Sequence, residues 1–334
     1  MGKLCITAIL SSIQQSEMNK TEKDGLIFAA ASVFAWGLTG VFVRLLPGFS
    51  GLFITGIRFL IALVVTLPFV LLDSERRSHL VPALRSATSW SLGTALVIYY
   101  LLAVSAYKYG SVGEVALFLG TAPVFVIVAK ALRGTRVDRK EKIGAAVAML
   151  GVALVLAPKL APSSGISGVR LLGIALAILS AAASAHYTGM SRASRQNGEE
   201  LDAVVVSVIA FAIGAALPLT ASGLLGQIRM AALHGHALKT FVALSVISTA
   251  LPSIAYAVAS RSLRPTVTTT IQLMIPVIAT IAAAAILHER PSLWLVPGAA
   301  LVLFGIVFMF REPAPSTATA RVHVREIPEF AGGD

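Results

Sequence analysis

GAAVAMLGVALVL, residues 144–156, and GAALVLFGIVFMF, residues 298–310, are two copies of one helical pattern within a chain of 334 residues. Gly144 falls on Gly298 and Gly151 on Gly305. With one residue of slippage the upstream stretches APVFVIVAKALRG, from Ala122, and IPVIATIAAAAIL, from Ile275, also align, which sets Pro123 on Pro276. One shared glycine pair would mean little, but pairs that keep their order and spacing across two apolar stretches and a connector mark an internal repeat. Working outward, apolar runs bounded by charge or by Gly/Pro clusters predict helices at about 25–45, 50–72, 88–107, 111–132 and 143–159, then at about 171–190, 203–224, 240–259, 265–287 and 292–310. The repeat unit is therefore five helices. Because five is odd, the second copy crosses the membrane in the opposite sense, an arrangement whose halves can rock about a central site.

Composition leads to the same solvent. Of the residues 56% are hydrophobic and only 13% charged, against about 25% charged in soluble domains. The runs have the length needed to cross a hydrocarbon layer of ~30 Å as helices. The expected fold is an all-α integral membrane protein of ten transmembrane helices arranged as two inverted five-helix repeats. The expected organisation is a cytoplasmic tail 1–24, a first repeat 25–160, a connector 161–170 containing APSSGISG, a second repeat 171–311 and a disordered tail 312–334. Cys5 is the lone cysteine, so no intrachain disulfide can form, and Met18 is an alternative start ahead of the first strong apolar run. With both ends on one side, 19 of the 27 Lys and Arg residues fall on that side, 7 on the other and Arg58 within a span. The positive-inside bias makes the first side cytoplasmic and places the chain in the cell membrane, inner or plasma, as a multi-pass protein. The net charge of +11 lies in connectors rather than on one continuous face, which argues against a nucleic-acid partner.

Several stretches resemble the drug/metabolite transporter superfamily, specifically its ten-helix EamA-type members. They are FAWGLTGVFVR (Phe34–Arg44), GIRFLIAL (Gly56–Leu63), GTAPVF (Gly120–Phe125) with GAAVAMLGVALV, and the long segment from Thr269 to Phe308 that contains the triplet His288, Glu289, Arg290. The resemblance covers roughly residues 25–311. One departure is the connector RGTRVDR (Arg133–Arg139), which lacks the acid that the family pattern carries after the fourth helix. The resemblance implies a secondary transporter of small metabolites or drug-like molecules, often an exporter, with no family-wide catalytic residue.

Ionisable groups inside spans cost roughly 2.5–3.5 kcal/mol or more unless paired or hydrated, so each is a functional candidate. Arg58, some eight residues into the second helix, could bind a substrate carboxylate or could be a packing residue satisfied by carbonyls. Glu114, near the outer end of the fourth helix, could carry a coupling proton. It could equally be a first-turn residue facing an outer vestibule, and Arg58 and Glu114 could pair with each other. Trp36, Tyr99, Tyr100, Tyr187 and Tyr256 offer aromatic faces for planar or cationic substrates, Trp36, Tyr99 and Tyr100 being nearest mid-depth. Gln272 precedes Pro276 by one turn, and Pro123 and Pro276 are candidate helix breaks that free backbone groups toward a cavity. His186 could titrate. Gly144, Ala148 and Gly151 on one face of the fifth helix suit close packing in lipid.

Rival functions are weaker. Gly165–Gly168 reads GISG, a serine-protease-like tetrapeptide, but sits in a polar connector without a partner histidine. His234 and His236 lack a third metal ligand, and no phosphate-binding loop exists for nucleotide-driven pumping. The expectation is a non-enzymatic secondary active transporter, working as an exporter by alternating access between the repeats. It needs no metal or cofactor and has the lipid bilayer and a small-molecule substrate as partners, as a single copy or a homodimer. The alternative is a non-transporting membrane sensor or scaffold on the same fold.

Overall fold

The computed structural model describes residues 20–134, 136–160, 168–199, 201–263, 267 and 271–310. Both expected tails beyond those limits, the GISG tetrapeptide apart from Gly168, Cys5 and Met18 lie outside the described residues. All regular structure in the described part is helical. The elements are α1 (Lys20–Gly37), α2 (Thr39–Arg44), α3 (Gly51–Leu72), α4 (Ser74–Arg85), α5 (Ala87–Tyr109), α6 (Val112–Leu119), α7 (Ala122–Leu132), α8 (Arg139–Leu160), α9 (Gly168–Gln196), α10 (Ala203–Leu224), α11 (Gly235–Ser245), α12 (Leu251–Ser262), α13 (Ile275–Leu287) and α14 (Leu295–Phe310).

Seven helical stretches are long and apolar enough to cross a membrane. They are α1 with α2, α3, α5, α6 with α7, α9, α10, and α11 with α12. The shorter α13 and α14 are also apolar, and α8 continues from a charged first turn at Arg139–Lys142 into an apolar run from Ile143. These are the ten spans. Side chains such as Val64, Leu72, Leu150 and Phe304 are exposed around the bundle, as suits a surface solvated by acyl chains rather than water. Span ends are fixed by polar caps: Ser50 accepts from Phe53 N at 3.1 Å, and Asp202 accepts from Val204 N at 2.8 Å and Val205 N at 3.0 Å.

Three boundaries differ from the sequence reading. The connector after the second span contains a helix, α4, capped by Asp73 and rich in charge, so apolar periodicity gave no sign of it. The sixth span, α9, starts at Gly168 and continues to Gln196, two turns beyond the apolar run, because Ser, Arg and Ala residues carry it past the hydrocarbon. In the ninth span Val267, Ile271 and Gln272 are helical, a turn at Leu273–Met274 interrupts the span, and the helix resumes at Ile275. Residues 264–266 and 268–270 lie outside the described residues.

Each span of the first repeat packs on a span of the second: first on eighth, second on seventh, third on sixth, fourth on ninth and fifth on tenth. This set is unchanged when the two halves are exchanged. The glycine contacts show its geometry. A Cβ on Gly151 would lie 2.6 Å from Gly298 O, and one on Gly305 would lie 2.5 Å from Gly144 O. The matched glycines thus meet crosswise, 144 against 305 and 151 against 298, so α8 and α14 run antiparallel. A two-fold that relates antiparallel helices lies across them, in the membrane plane, and this is the geometry of an inverted repeat. The same sense holds elsewhere: Gly56 meets Leu219 while Gly214 meets Phe59.

In lipid there is no hydrophobic drive between helices, so backbone approach through small residues supplies the van der Waals contact. Gly151→Val and Gly305→Val should each lower stability by about 1–3 kcal/mol through overpacking, whereas Leu150→Ala, on the lipid face, should be near neutral. Thermal unfolding in detergent measures both, and equal effects at Gly151 and Leu150 would contradict the packing described.

Candidate functional site

A cavity of about 490 Å³ lies between the repeats. At one end it reaches Lys130, Glu141, Arg192 and Arg195, at the other Tyr107 and Ala116, and its walls include Trp36, Tyr99, Tyr100, Tyr187, Tyr256 and Gln272. Arg192 and Arg195 are exposed, while Tyr107 and Ala116 are buried. The cavity is thus open at the Lys/Arg-rich end of the bundle and stops short of the opposite end. The Trp36 and Tyr256 rings lie 5.2 Å apart, and those of Tyr99 and Tyr100 4.9 Å apart.

Four spans are interrupted where they reach this space. The first breaks at Leu38 between α1 and α2, the fourth at Gly120–Thr121 between α6 and α7, and the ninth just before α13. Pro123 and Pro276 each sit in the first turn of the helix that resumes, where a missing N–H costs nothing. Both line the cavity. The eighth span widens into a π-turn at Val246–Ala250, a local excess residue that frees carbonyls from the usual ladder.

Arg58 uses those freed groups. It is fully buried, its Nη2 donates to Ser248 O at 2.8 Å, its Nε donates to Thr249 Oγ1, and its guanidinium carbon sits 4.6 Å from the centre of the Tyr100 ring. Ser248 Oγ donates in turn to Ala35 O at 2.7 Å, so Arg58 ties the first, second and eighth spans together behind an aromatic wall. It is not part of the cavity lining. Its partners are one carbonyl, one hydroxyl and a ring face, the buried Nη1 has no hydrogen-bond partner among the described residues, and the guanidinium supports Tyr100 from behind.

Glu114 is likewise outside the lining, and it does not meet Arg58. Its carboxylate lies 3.3 Å from Arg170 Nη2 through both oxygens. Nor does it face an open vestibule, since it is 3% exposed. It belongs to the closure of the end opposite the open one. There Arg44 and Glu289 form a 3.6 Å ion pair, Val112 N donates to Glu289 Oε2 at 3.0 Å, Arg229 Nη1 donates to Gly48 O at 3.1 Å, and Lys108 Nζ donates to Pro47 O and Phe49 O. Phe49, Phe53 and Phe241 pack beneath, with ring centres 5.1–6.0 Å apart.

The triplet His288, Glu289, Arg290 now has a physical reading. His288 adopts a left-handed conformation, φ 54°, that ends α13, and this turn delivers Glu289 to the N-terminus of α6. Gly134, with φ 70°, occupies the equivalent place in the first repeat, 154 residues earlier, the same offset as the glycine pairs. The next residue, Thr135, stands where the second repeat has Glu289, and it lies outside the described residues.

The sequence reading missed Arg170 as the partner of Glu114, because residues 56 positions apart are linked only by the fold. It also missed the stripe Ser184, Thr188, Ser191, Arg192 and Arg195 on the cavity side of α9, whose helical spacing was visible but whose last three residues lay beyond the expected helix end. Gly168 is the one residue of the GISG tetrapeptide that is described, and it starts α9. His186 is exposed, and His234 precedes α11 with Nδ1 2.9 Å from Ala231 O. Among the described residues no group of three His, Cys, Asp or Glu is placed to hold a metal.

Arg58→Ala should remove two charge-assisted hydrogen bonds and leave the Ser248 carbonyl unpaired, costing roughly 2–4 kcal/mol. Tyr187→Ala, on the half-buried cavity wall, should cost about 1 kcal/mol or less. Equal thermal stability of the two variants in detergent would contradict the role given to Arg58.

The fold has a counterpart. A solved structure described as a crystal structure of a protein superposes with a TM-score of 0.61 at 20% identity, over 90% of this chain and 99% of its own, which speaks for the fold alone. A protein of Archaeoglobus fulgidus described as an uncharacterized transporter is 25% identical over 291 residues, 86% of this chain and 98% of its own length. The model of the EamA-like transporter family matches twice, at residues 23–157 and 171–311, one match per five-span repeat. By these two matches, which take in nearly all of the described residues, the chain belongs to the EamA-like transporter family of multi-pass membrane proteins.

Proposed function

We propose that the chain is a secondary active transporter, not an enzyme, that exports a small molecule by alternating access between its two repeats. The observation that carries this reading is where the ion pairs fall. At the closed end, Arg44–Glu289 and Glu114–Arg170 each join the first repeat to the second. Among the described residues the ion pairs at the open end stay within a repeat, Lys130 with Glu141 at 2.7 Å and Arg261 with Asp202 at 2.7 Å, and the two repeats meet there through the exposed hydrogen bond from Thr88 Oγ1 to Glu199 Oε1 at 3.3 Å. Electrostatic closure thus holds one end shut and leaves the other free to admit a ligand, as a carrier open to one side requires.

The Lys/Arg bias supports assigning the open end to the cytoplasm, with both termini there and the protein in the cell membrane. A cavity that loads from the cytoplasm suits export. A small-molecule substrate is expected at Trp36, Tyr99, Tyr100, Tyr256 and Gln272. Glu114 couples the cycle: protonation removes the negative charge that holds Arg170, so a proton arriving from outside loosens the closed end. A sensor or scaffold on the same fold is the competing reading, and it predicts no net flux of solute through purified protein.

Arg170 is half exposed, so the pair holds the closed state by about 1 kcal/mol, roughly five-fold in the ratio of states. With Cys5 replaced by Ser, a cysteine at Leu119 should react with a membrane-impermeant maleimide from the Lys/Arg-rich side, and Glu114→Gln should raise its reaction from the other side several-fold. In proteoliposomes the same substitution should abolish acceleration of solute flux by a pH gradient. Labelling from one side only under every condition, with no flux, would favour the scaffold.

A further inference from the structure

We infer that the substrate is an organic anion with a planar apolar body, its charged group bound by Arg192 and Arg195 and its body held among Trp36, Tyr99, Tyr100 and Tyr256. This inference rests on the transport reading above and narrows its substrate class.

The cavity carries a charge imbalance. Its ionisable lining, apart from tyrosines, is Lys130, Glu141, Arg192 and Arg195. Lys130 and Glu141 neutralise each other at 2.7 Å, whereas Arg192 and Arg195 form no ion pair among the described residues. A third positive charge, Arg58, lies behind Tyr100, and its partners Ser248 O, Thr249 Oγ1 and the Tyr100 ring are all uncharged. A low-dielectric wall transmits such a charge with little screening, so the whole space carries a positive potential. Aromatic faces alone would suit a cation. Here the cation would meet three uncompensated positive charges and no free carboxylate in the lining, so the aromatic walls serve a planar group of the opposite charge.

Hydrogen-bond supply points the same way. The hydroxyls of Thr188, Ser207, Ser253 and Ser260 donate to carbonyls of their own helices, and so offer oxygen lone pairs rather than protons to the cavity. The two guanidiniums are the charged donors left for a ligand, with a geometry matched to carboxylate, sulfonate or phosphate oxygens, beside the neutral Trp36 Nε1–H, which has no hydrogen-bond partner among the described residues, and the Gln272 amide. A general preference for basic residues on the cytoplasmic side explains positive charge at this end. It does not explain why two of these residues continue the Ser184, Thr188 and Ser191 stripe along the cavity face of α9, while Arg133 and Arg136 lie outside the lining.

The test compares two permanently charged bicyclic probes of similar size, naphthalene-1-sulfonate and N-methylquinolinium, by calorimetric titration of the detergent-solubilised protein and by flux from loaded proteoliposomes. The sulfonate should bind at least tenfold more tightly. Arg192→Gln with Arg195→Gln should weaken it at least tenfold without altering ligand-free thermal stability, Lys at both positions should restore part of the affinity, and Glu at both should turn the preference toward the quinolinium. Arg133→Gln with Arg136→Gln should change nothing. Tighter binding of the quinolinium, no binding of the sulfonate, or equal loss in the two double-Gln variants would overturn the inference. Flux separates the two levels: transport of quinolinium alone overturns the anion assignment and leaves transport standing, whereas selective sulfonate binding without flux upholds the assignment and counts against transport.

Discussion

Hydrocarbon offers no hydrogen-bond partner to a peptide group, and the rest of this structure follows from where that prohibition is relaxed. Among the described residues, spans are interrupted at Leu38, at Gly120–Thr121, in the π-turn at Val246–Ala250 and ahead of Ile275. Most of these places border the cavity directly, and the π-turn carbonyl at Ser248 is taken by Arg58. The broken helices and the cavity therefore have one cause: backbone groups that cannot face lipid are turned toward a space that holds water or ligand, or toward a buried cation.

The second dependence is on antiparallel pairing. Because each span of one repeat rests on a span of the other, any rocking of one repeat changes all five interfaces together. One of them, α8 on α14 at Gly144, Gly151, Gly298 and Gly305, joins backbone to backbone, and such a contact resists sliding. The interfaces around the cavity are built instead from aromatic rings and exchangeable ion pairs.

Much of this was legible in the sequence. The glycine pairs disclosed the repeat, and an odd number of spans per copy fixed its inversion. Trp36, Tyr99, Tyr100, Tyr256 and Gln272, chosen for depth and chemistry, come together on the cavity wall, and Pro123 and Pro276 mark helix restarts. Arg58 and Glu114, singled out as costly residues within spans, are both buried, but the groups they meet include residues 190 and 56 positions away, which no local pattern encodes. The charged helix α4 escaped because only Leu80 and Ala83 of it pack into the core, too few to show as an apolar run. The basic stripe on α9 escaped because apolar runs, used to find spans, end before it.

In the proposed transport cycle the closed end and the open end exchange. Electron–electron resonance distances between spin labels at Pro47 and Arg290, across the closed end, and at Arg133 and Gln196, across the open one, measure this in reconstituted protein. The account predicts that acidifying the side of the closed end, or introducing Glu114→Gln, lengthens the first distance and shortens the second together. Single, invariant distances at both ends under every condition would contradict it.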